Sequence, residues 1–357
     1  MGVETFNGYL MTKDIVVAEI KNGQIDIITN AALLPIYLER TKNLHHWLEK
    51  RAIDSHRTNS RLLKKVLRLT ERDDVSTTLA VNAVTITDTY WLKEDASSMT
   101  WEDVRFKENY FSELALKGDL SAFSQKPSRT PELTNVGSYE KCWKLENEKW
   151  WLYKKANQQE LFSELFIYEL GKSLGFHMAY YEVCDGYIRS LDFTDGAKVN
   201  FEAAYSWMGD DEDYVKNYQA FSTFGDAMAD QYLEMLLLDS ICLNVDRHTF
   251  NYGVLRDVDT GNILEMAPAF DHNVALLSNG YLTGPRKKDL LGTLLHELEN
   301  ETGAISKYLS RHACPVITRE MVWACIDKVE MQVSMQVDRE YLWDFLWTGY
   351  TQTPFYQ

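Results

Sequence analysis

The sequence predicts an α+β fold in which a small lobe built from β-hairpins and one helix precedes a larger, mainly helical lobe. Over residues 139–193, two pairs of β-prone runs enclose a stretch whose apolar residues have helical spacing. Residues 290–346 carry helical spacing with little β-prone sequence. The chain has 357 residues, of which 45% are hydrophobic and 13% aromatic, and this is enough to bury the cores of two ordinary domains.

A polar, proline-containing stretch at Ser124–Arg129 marks a change of pattern and predicts a connector. We therefore expect three regions along the chain. An amino-terminal accessory region covers residues 1–125, the small lobe covers 126–193 and the large lobe covers 194–357.

The accessory region is predicted to begin with a hairpin. Two alternating runs within Asp14–Asn30 flank a Lys-Asn-Gly turn, which is a strong hairpin signal. Leu33–Leu69 has the apolar spacing of a helix, and residues 71–125 are expected to be mixed and mostly helical.

The small lobe is predicted to contain two hairpins on either side of one helix. The first hairpin consists of the strands Tyr139–Leu145 and Lys149–Lys154, and the helix is Gln158–Leu174. The second hairpin consists of Met178–Cys184 and Tyr187–Phe193. Gly175 is a typical stop signal directly after the helix.

The large lobe is predicted to contain a strong helix after Gly225 and a hairpin around Asp257–Asn262. This turn resembles the start of a calcium loop, but Pro268 occupies the place of the bidentate glutamate that such a loop requires. We therefore interpret Asp257–Asn262 as a hairpin turn. Residues 290–346 are expected to be mainly helical.

Charge argues against direct binding to nucleic acid. The net charge of -16 repels a polyanion. Four basic residues in the accessory region have helical spacing and are predicted to form a solvated helix face: Arg61, Lys64, Lys65 and Arg68.

The cysteines and the apolar runs bear on location. The five cysteines form no CxxC pair, and an odd number fits poorly with a disulfide framework, so reduced thiols are expected. No apolar run approaches the about 18 residues needed to span a bilayer, and the first residues lack the segments of a signal peptide. We expect a cytoplasmic protein without membrane contact.

Three side chains carry the chemistry that the sequence suggests. Asp246 and Asn251 lie five residues apart, and Asp271 follows twenty residues after the amide. Phosphoryl transfer needs a carboxylate to accept or orient the attacking hydroxyl and oxygen ligands that hold magnesium against the phosphates. The predicted hairpin between the two segments would return the chain and bring the second acid beside the first pair.

The stretch DRHTFN followed by APAFDHN resembles the catalytic and metal-binding loops of HipA-like serine/threonine kinases, and more distantly those of phosphoinositide kinases. The resemblance implies a two-lobed protein-kinase-like fold with a nucleotide-binding small lobe and a catalytic large lobe. It implies that Asp246 is the catalytic base and that Asn251 and Asp271 bind Mg²⁺. Arg247 and His248 would support the catalytic loop or the phosphates.

The resemblance also implies cofactors and partners. ATP and Mg²⁺ are the expected cofactors, and a protein with a Ser or Thr acceptor is the expected substrate. Autophosphorylation and an antitoxin-like partner protein are further expectations. Asp271 is followed by His272 and Asn273 instead of the Phe-Gly of ordinary protein kinases, so conventional activation-loop switching is not implied.

A second matching segment lies in the small lobe. Gly137, Ser138 and Lys141 resemble the Gly-x-x-x-Lys phosphate-binding segment of the family. A glycine lets the backbone approach phosphate oxygens, whereas many hairpin glycines are only structural. A hydroxyl near this position can be autophosphorylated in the family, which makes Thr134 a candidate regulatory site.

A third match pairs a strand lysine with a helix carboxylate. Lys154 would contact the nucleotide phosphates and Glu164 would orient it. Strand alternation turns one of Lys154 and Lys155 outward, and we favour Lys154 as the inward residue.

Two other functions stay open at the level of sequence. The resemblance to phosphoinositide kinases favours a small-molecule or lipid acceptor, although a basic amphipathic membrane segment is absent. The second alternative is a non-catalytic, nucleotide-binding and toxin-like interaction module. The presence of Asp246, Asn251 and Asp271 together argues against a non-catalytic module, because a scaffold has no need for three oxygen ligands at this spacing.

Overall fold

A computed structural model describes residues 3–69, 73–121, 129–280 and 285–356. Its helices are α1 Ile36–Thr41, α2 Leu44–Glu49, α3 Thr58–Val66, α4 Asp74–Leu79, α5 Trp101–Val104, α6 Ser112–Lys117, α7 Gln158–Ser173, α8 Tyr205–Met208, α9 Tyr214–Thr223, α10 Asp226–Cys242, α11 Leu290–Thr302, α12 Ala304–Arg311, α13 Arg319–Glu330 and α14 Arg339–Thr351. Its strands are β1 Gly8–Thr12, β2 Ile15–Lys21, β3 Gln24–Ile28, β4 Tyr90–Glu94, β5 Lys141–Glu146, β6 Lys149–Lys154, β7 Tyr181–Cys184, β8 Tyr187–Leu191, β9 Val199–Ala203, β10 Gly253–Asp257 and β11 Ile263–Met266.

The chain divides into two compact units. Unit 1 consists of Met1–Lys155, Arg189–Glu202 and Val254–Leu264, and unit 2 consists of Ala156–Ile188, Ala203–Gly253 and Glu265–Gln357. The predicted boundary between residues 125 and 126 and most of the predicted connector lie outside the described residues. The division into three regions therefore stays a prediction.

Unit 1 opens with an antiparallel sheet in the order β3-β2-β1-β4. The predicted hairpin at Asp14–Asn30 is confirmed as β2 and β3, and its turn residues Asn22 and Gly23 have φ of 49° and 72°. Two positive φ values are typical of the tight hairpin turns that follow the twist of their strands. Sequence patterning missed β1 and β4, which pair across about eighty residues with Leu10 opposite Leu92.

The helical prediction for Leu33–Leu69 is correct only in pieces. Lys42 adopts φ 52° and ends α1, while the Asn43 side chain accepts a hydrogen bond from the His46 N–H and caps α2. α3 begins only at Thr58, after an irregular segment. A left-handed lysine gives no warning in the sequence, because glycine and asparagine are the usual signals for this conformation.

The predicted hairpin of β5 and β6 is confirmed, with a tighter turn than expected. Glu146 pairs with Lys149, so the loop consists of Asn147 and Glu148, whose φ values are 50° and 63°. A two-residue loop with both φ values positive is the favoured connection between twisted strands. This register places Lys141 directly opposite Lys154.

A buried carboxyl in unit 1 organises the segment before β5. Glu132 is fully buried, and its Oε1 accepts hydrogen bonds from the Trp143 N–H and from Asn109 Nδ2, each at 2.7 Å. Its Oε2 accepts one from Asn135 Nδ2 at 2.9 Å. Burial outweighs these contacts and raises the pKa of Glu132 to about 7.

This raised pKa makes the stability of the protein depend on pH. The folded chain retains the Glu132 proton up to about pH 7, while the unfolded chain releases it near pH 4.5. Stability contributed by the neutral form is thus lost as the pH rises through this window, by about 3 kcal/mol. Between pH 4.5 and 7.5, we expect the free energy of unfolding of Glu132→Gln, measured with urea, to rise by about 3 kcal/mol relative to that of wild type. Parallel pH profiles of the two proteins would contradict the prediction.

Unit 2 is built around two buried helices, α7 and α10. Asn157 caps α7, and its capping box with Glu160 fixes the first turn. The predicted helix after Gly225 is confirmed as α10, and the predicted helical content of residues 290–346 is confirmed as α11 to α14. The two predicted strands around Asp257–Asn262 are confirmed as β10 and β11, which lie mostly in unit 1.

The states of the cysteines and the lengths of the helices are as follows. All five cysteines are free, and three of them, Cys142, Cys242 and Cys325, are buried. Within the described ranges, no helix combines the length and the apolar character that a bilayer span requires.

Candidate functional site

The predicted catalytic loop begins where α10 ends. Leu243 adopts φ 53° and turns the chain out of the helix, and Asn244 Nδ2 then donates to Asp239 Oδ1 at 2.8 Å. The Asp246 N–H donates to Asn244 Oδ1 at 3.4 Å. The start of the loop is therefore anchored to the last turns of α10 through Asp239.

Arg247 holds the catalytic loop and the segment before Asp271 together. Its Nε and Nη2 donate to the Asp239 carboxylate at 2.7 and 2.9 Å. Its Nη1 donates to the backbone carbonyls of Asn251 at 2.8 Å and Phe270 at 2.6 Å. One guanidinium thus bonds both ends of the predicted constellation, and the role of Arg247 in catalysis stays a prediction.

The Arg247–Asp239 pair is buried, with side-chain exposures of 3% and 0%. Burial alone lowers the pKa of Arg247, but the Asp239 carboxylate outweighs this effect and raises it above the ordinary value. Sequence reasoning missed Asp239. The available signal was a single acid within the apolar run LLLDSICL, because an acid there requires a buried partner.

The segment that carries Asp271 is fixed by the chain that follows α7. The Ala269 N–H donates to the His177 carbonyl at 2.8 Å, and the Ala179 N–H donates to the Ala269 carbonyl at 3.0 Å. The Asp271 N–H donates to Tyr181 Oη at 3.1 Å. Asp271 itself has φ 62°, an unusual backbone conformation that non-glycine residues adopt mainly where their surroundings enforce it.

Glu164 lies in the middle of α7 and is fully buried. Its Oε1 accepts a hydrogen bond from the His272 N–H at 3.1 Å. Glu164 therefore positions the residue directly after Asp271, a contact that the sequence did not suggest. Its predicted pairing with Lys154 stays a prediction, since the two residues belong to different units.

Asp246 and Asp271 interact electrostatically. Partial burial raises the pKa of Asp246, His248 opposes the rise, and the negative charge of Asp271 adds to it. The negative charge of Asp271 therefore acts on the region of Asp246, and such a region favours a divalent cation.

Asn251 completes this region from within the loop. It is 6% exposed, and its Nδ2 donates to the Asp246 carbonyl at 3.3 Å, so that the amide oxygen is the atom suited to a cation. Among the residues described, no three His, Cys, Asp or Glu side chains cluster as a metal site. The binding of magnesium by Asn251 and Asp271 stays a prediction; in general this cation takes one or two carboxylates and completes its shell with waters and phosphates.

His248 supports the loop from inside. Its backbone N–H donates to the Asp246 carbonyl at 3.0 Å. Its ring atom Nδ1 accepts a hydrogen bond from the Phe250 backbone N–H at 3.3 Å. The ring therefore stabilises the turn between Asp246 and Asn251 and is not needed as a second base.

The other predicted site residues lie in unit 1. Gly137 has φ 104°, and a Cβ at this position would lie 2.4 Å from Lys141 Nζ. Lys141 and Lys154 face each other across the hairpin and are 9% and 6% exposed, respectively. Lys155 is exposed, so Lys154 is the inward lysine, as we favoured.

The two hydroxyls near Gly137 differ in accessibility. Ser138 is exposed. Thr134 is 6% exposed, and its Oγ1 donates to the Val84 carbonyl at 2.6 Å. Phosphorylation of Thr134 would therefore require this segment to open, whereas Ser138 is accessible as it stands.

The ten predicted site residues thus form two groups, one in each unit. Asp246, Arg247, His248, Asn251, Asp271 and Glu164 lie together in unit 2, and Gly137, Ser138, Lys141 and Lys154 lie together in unit 1. Within unit 2 the structure brings the two predicted loops together through Arg247.

Comparison with known proteins gives matches at the level of structure. No protein-family model and no curated protein sequence matches the chain. HipA of Shewanella oneidensis MR-1, from a complex of the toxin-antitoxin proteins HipA and HipB with operator DNA, is similar with a TM-score of 0.59 at 11% identity, covering 97% of this chain and 95% of that chain. The proinflammatory kinase CtkA of Helicobacter pylori gives a TM-score of 0.43 at 15% identity over 60% of this chain and 90% of that chain. The similarity to HipA shows that the chain has a HipA-like, two-lobed kinase fold.

Proposed function

We propose that the chain is a serine/threonine protein kinase that uses ATP and Mg²⁺. The observation that carries the proposal is the Arg247 guanidinium, which bonds the loop of Asp246 and Asn251 to the segment of Asp271. The HipA-like fold supports it independently. We further propose that the protein acts in the cytoplasm and autophosphorylates.

The roles of the unit 2 residues follow from their chemistry. Asp246 takes the proton of the acceptor hydroxyl while the hydroxyl oxygen forms a bond to the γ-phosphorus. The bond between the γ-phosphorus and the β–γ bridging oxygen breaks at the same time, and ADP leaves. A raised pKa brings a carboxylate closer to the range useful for a general base. Asn251 and Asp271 would hold Mg²⁺, which supplies charge neutralisation for the phosphates.

The unit 1 residues are proposed to bind the nucleotide phosphates. Lys141 and Lys154 contribute positive charge from neighbouring strands, and Gly137 leaves the backbone open to close approach. The similar HipA was solved with HipB and operator DNA. For this chain we propose a protein partner of antitoxin type and no direct contact with nucleic acid, because its net charge is -16.

The test is incubation of the purified protein with γ-labelled ATP and Mg²⁺, alone and with casein as a general acceptor. We expect label on the protein itself or on casein, and loss of label with EDTA and in the variants Asp246→Ala and Asp271→Asn. ATP binding without any labelled protein would overturn the protein-kinase proposal. Label found on a small molecule or lipid instead would keep the kinase chemistry and change the acceptor.

A further inference from the structure

A buried arginine of the accessory region reaches the loop that contains Gly137. Arg57 is 2% exposed. Its Nε donates to the Gly137 carbonyl at 2.5 Å, and its Nη2 donates to the Asn135 carbonyl. One planar guanidinium therefore fixes two peptide groups of the loop, on either side of Val136.

The position of this charge is energetically unusual. Burial lowers the pKa of Arg57 to about 10, against the opposing effect of Glu132, Glu140 and Asp54. Its Nη1 is buried without a hydrogen-bond partner among the described residues. A buried charge is usually paired with an ion of opposite sign, yet the donors of Arg57 bond backbone carbonyls of one loop.

The two bonds determine where the loop N–H groups point. In a trans peptide the C=O and N–H lie on opposite sides of the bond. Carbonyls of Asn135 and Gly137 that face Arg57 therefore direct the N–H groups of Val136 and Ser138 away from it. Val136 is 41% exposed and Ser138 is also exposed, and within the described residues neither N–H donates to a protein acceptor.

Outward backbone N–H groups of a loop bind anions, because each contributes a fixed partial positive charge. The ammonium of Lys141, the first residue of β5, lies beside Gly137. We infer that Arg57 is a positioning residue of the nucleotide site, which holds the Asn135 and Gly137 carbonyls so that the Val136 and Ser138 N–H groups bind phosphate. This inference rests on the proposed function and gives the accessory region a part in it.

The experiment compares binding of ATP with binding of adenosine by isothermal titration calorimetry in the presence of Mg²⁺. Arg57→Lys keeps the charge but loses the planar fork that bonds both carbonyls. We expect its affinity for ATP to fall about 10- to 100-fold, as for the loss of one or two hydrogen bonds to a charged group, while its affinity for adenosine stays within about twofold of wild type.

Arg51→Lys is the matched control for general damage to unit 1. Arg51 also bonds a backbone carbonyl, that of Ala83, and pairs with Asp88. We expect it to bind ATP like wild type. An equal loss of ATP affinity in Arg51→Lys would overturn the inference, because the effect would then come from loosening of the unit.

A second pair of variants tests the N–H groups without touching Arg57. Val136→Pro removes one donor, and Asn135 has an extended backbone, with φ -90° and ψ 92°, outside the α region that a following proline disfavours. Val136→Ala keeps the donor. We expect weaker ATP binding only in the proline variant. If the wild-type protein binds no ATP, the proposed function itself is overturned. If both Arg57→Lys and Val136→Pro bind ATP as tightly as wild type, only the inference about Arg57 is overturned.

Discussion

Replacement of Asp246 with asparagine is expected to lower kcat about 10²- to 10⁴-fold, the usual contribution of general base catalysis. Asparagine has nearly the same size and can still orient a hydroxyl, but it cannot accept its proton. The KM for ATP should change only a few-fold, since the proposed phosphate and metal contacts belong to other residues. Steady-state kinetics with labelled ATP and the acceptor found for wild type measures both parameters.

The control for Asp246→Asn is Asp210→Asn. Asp210 is an exposed acid of the same unit, in the acidic run before α9, and its loss should leave kcat within about twofold because surface substitutions act weakly. An Asp246→Asn enzyme that retains more than about a tenth of wild-type kcat would show that Asp246 is not the base.

Replacement of Arg247 with methionine is expected to lower the free energy of unfolding by about 3–5 kcal/mol. The Asp239 carboxylate would remain buried without its main cation, and the carbonyls of Asn251 and Phe270 would lose a charged donor. Urea unfolding followed by tryptophan fluorescence measures the change. The variant should also lose kinase activity, because the two loops would no longer be bonded through one group.

A double substitution separates stability from function at this site. Arg247→Met combined with Asp239→Leu removes the unpaired buried charge, so we expect much of the stability to return. Activity should not return, since methionine cannot donate to either carbonyl. The control is Arg319→Met, which breaks an exposed pair with Glu340 and should cost about 0–1 kcal/mol. Arg247→Met with wild-type stability would contradict the prediction.

The sequence was informative where the signals were local. The two strands of β5 and β6, the start of α10, and the placement of Asp246 and Asn251 in one loop all follow from patterns within about twenty residues. The HipA-like fold was predicted from the resemblance of DRHTFN with APAFDHN, and of two further segments, to that family, and the structural comparison confirms it.

The remaining features depend on contacts between distant segments, which no local pattern encodes. β1 and β4 pair across most of the accessory region. Tyr181 and Arg57 act on the predicted loops through hydrogen bonds to the backbone, and such contacts depend on where the chain folds back and not on residue spacing. Asp239 acts on the catalytic loop through the side chain of Arg247. A lone acid in an apolar helix indicates that a partner exists, but it does not identify that partner.

The left-handed backbone at Leu243 and Asp271 places local strain at both ends of the candidate catalytic region. Each such residue costs on the order of 1–2 kcal/mol relative to an ordinary conformation, and glycine would relieve it. Screening of a mutant library for heat resistance alone would therefore favour glycine at residue 271, where the carboxylate is lost along with the strain. Selection for durability and selection for turnover act in opposite directions at this residue, so engineering for durability should begin elsewhere in the chain.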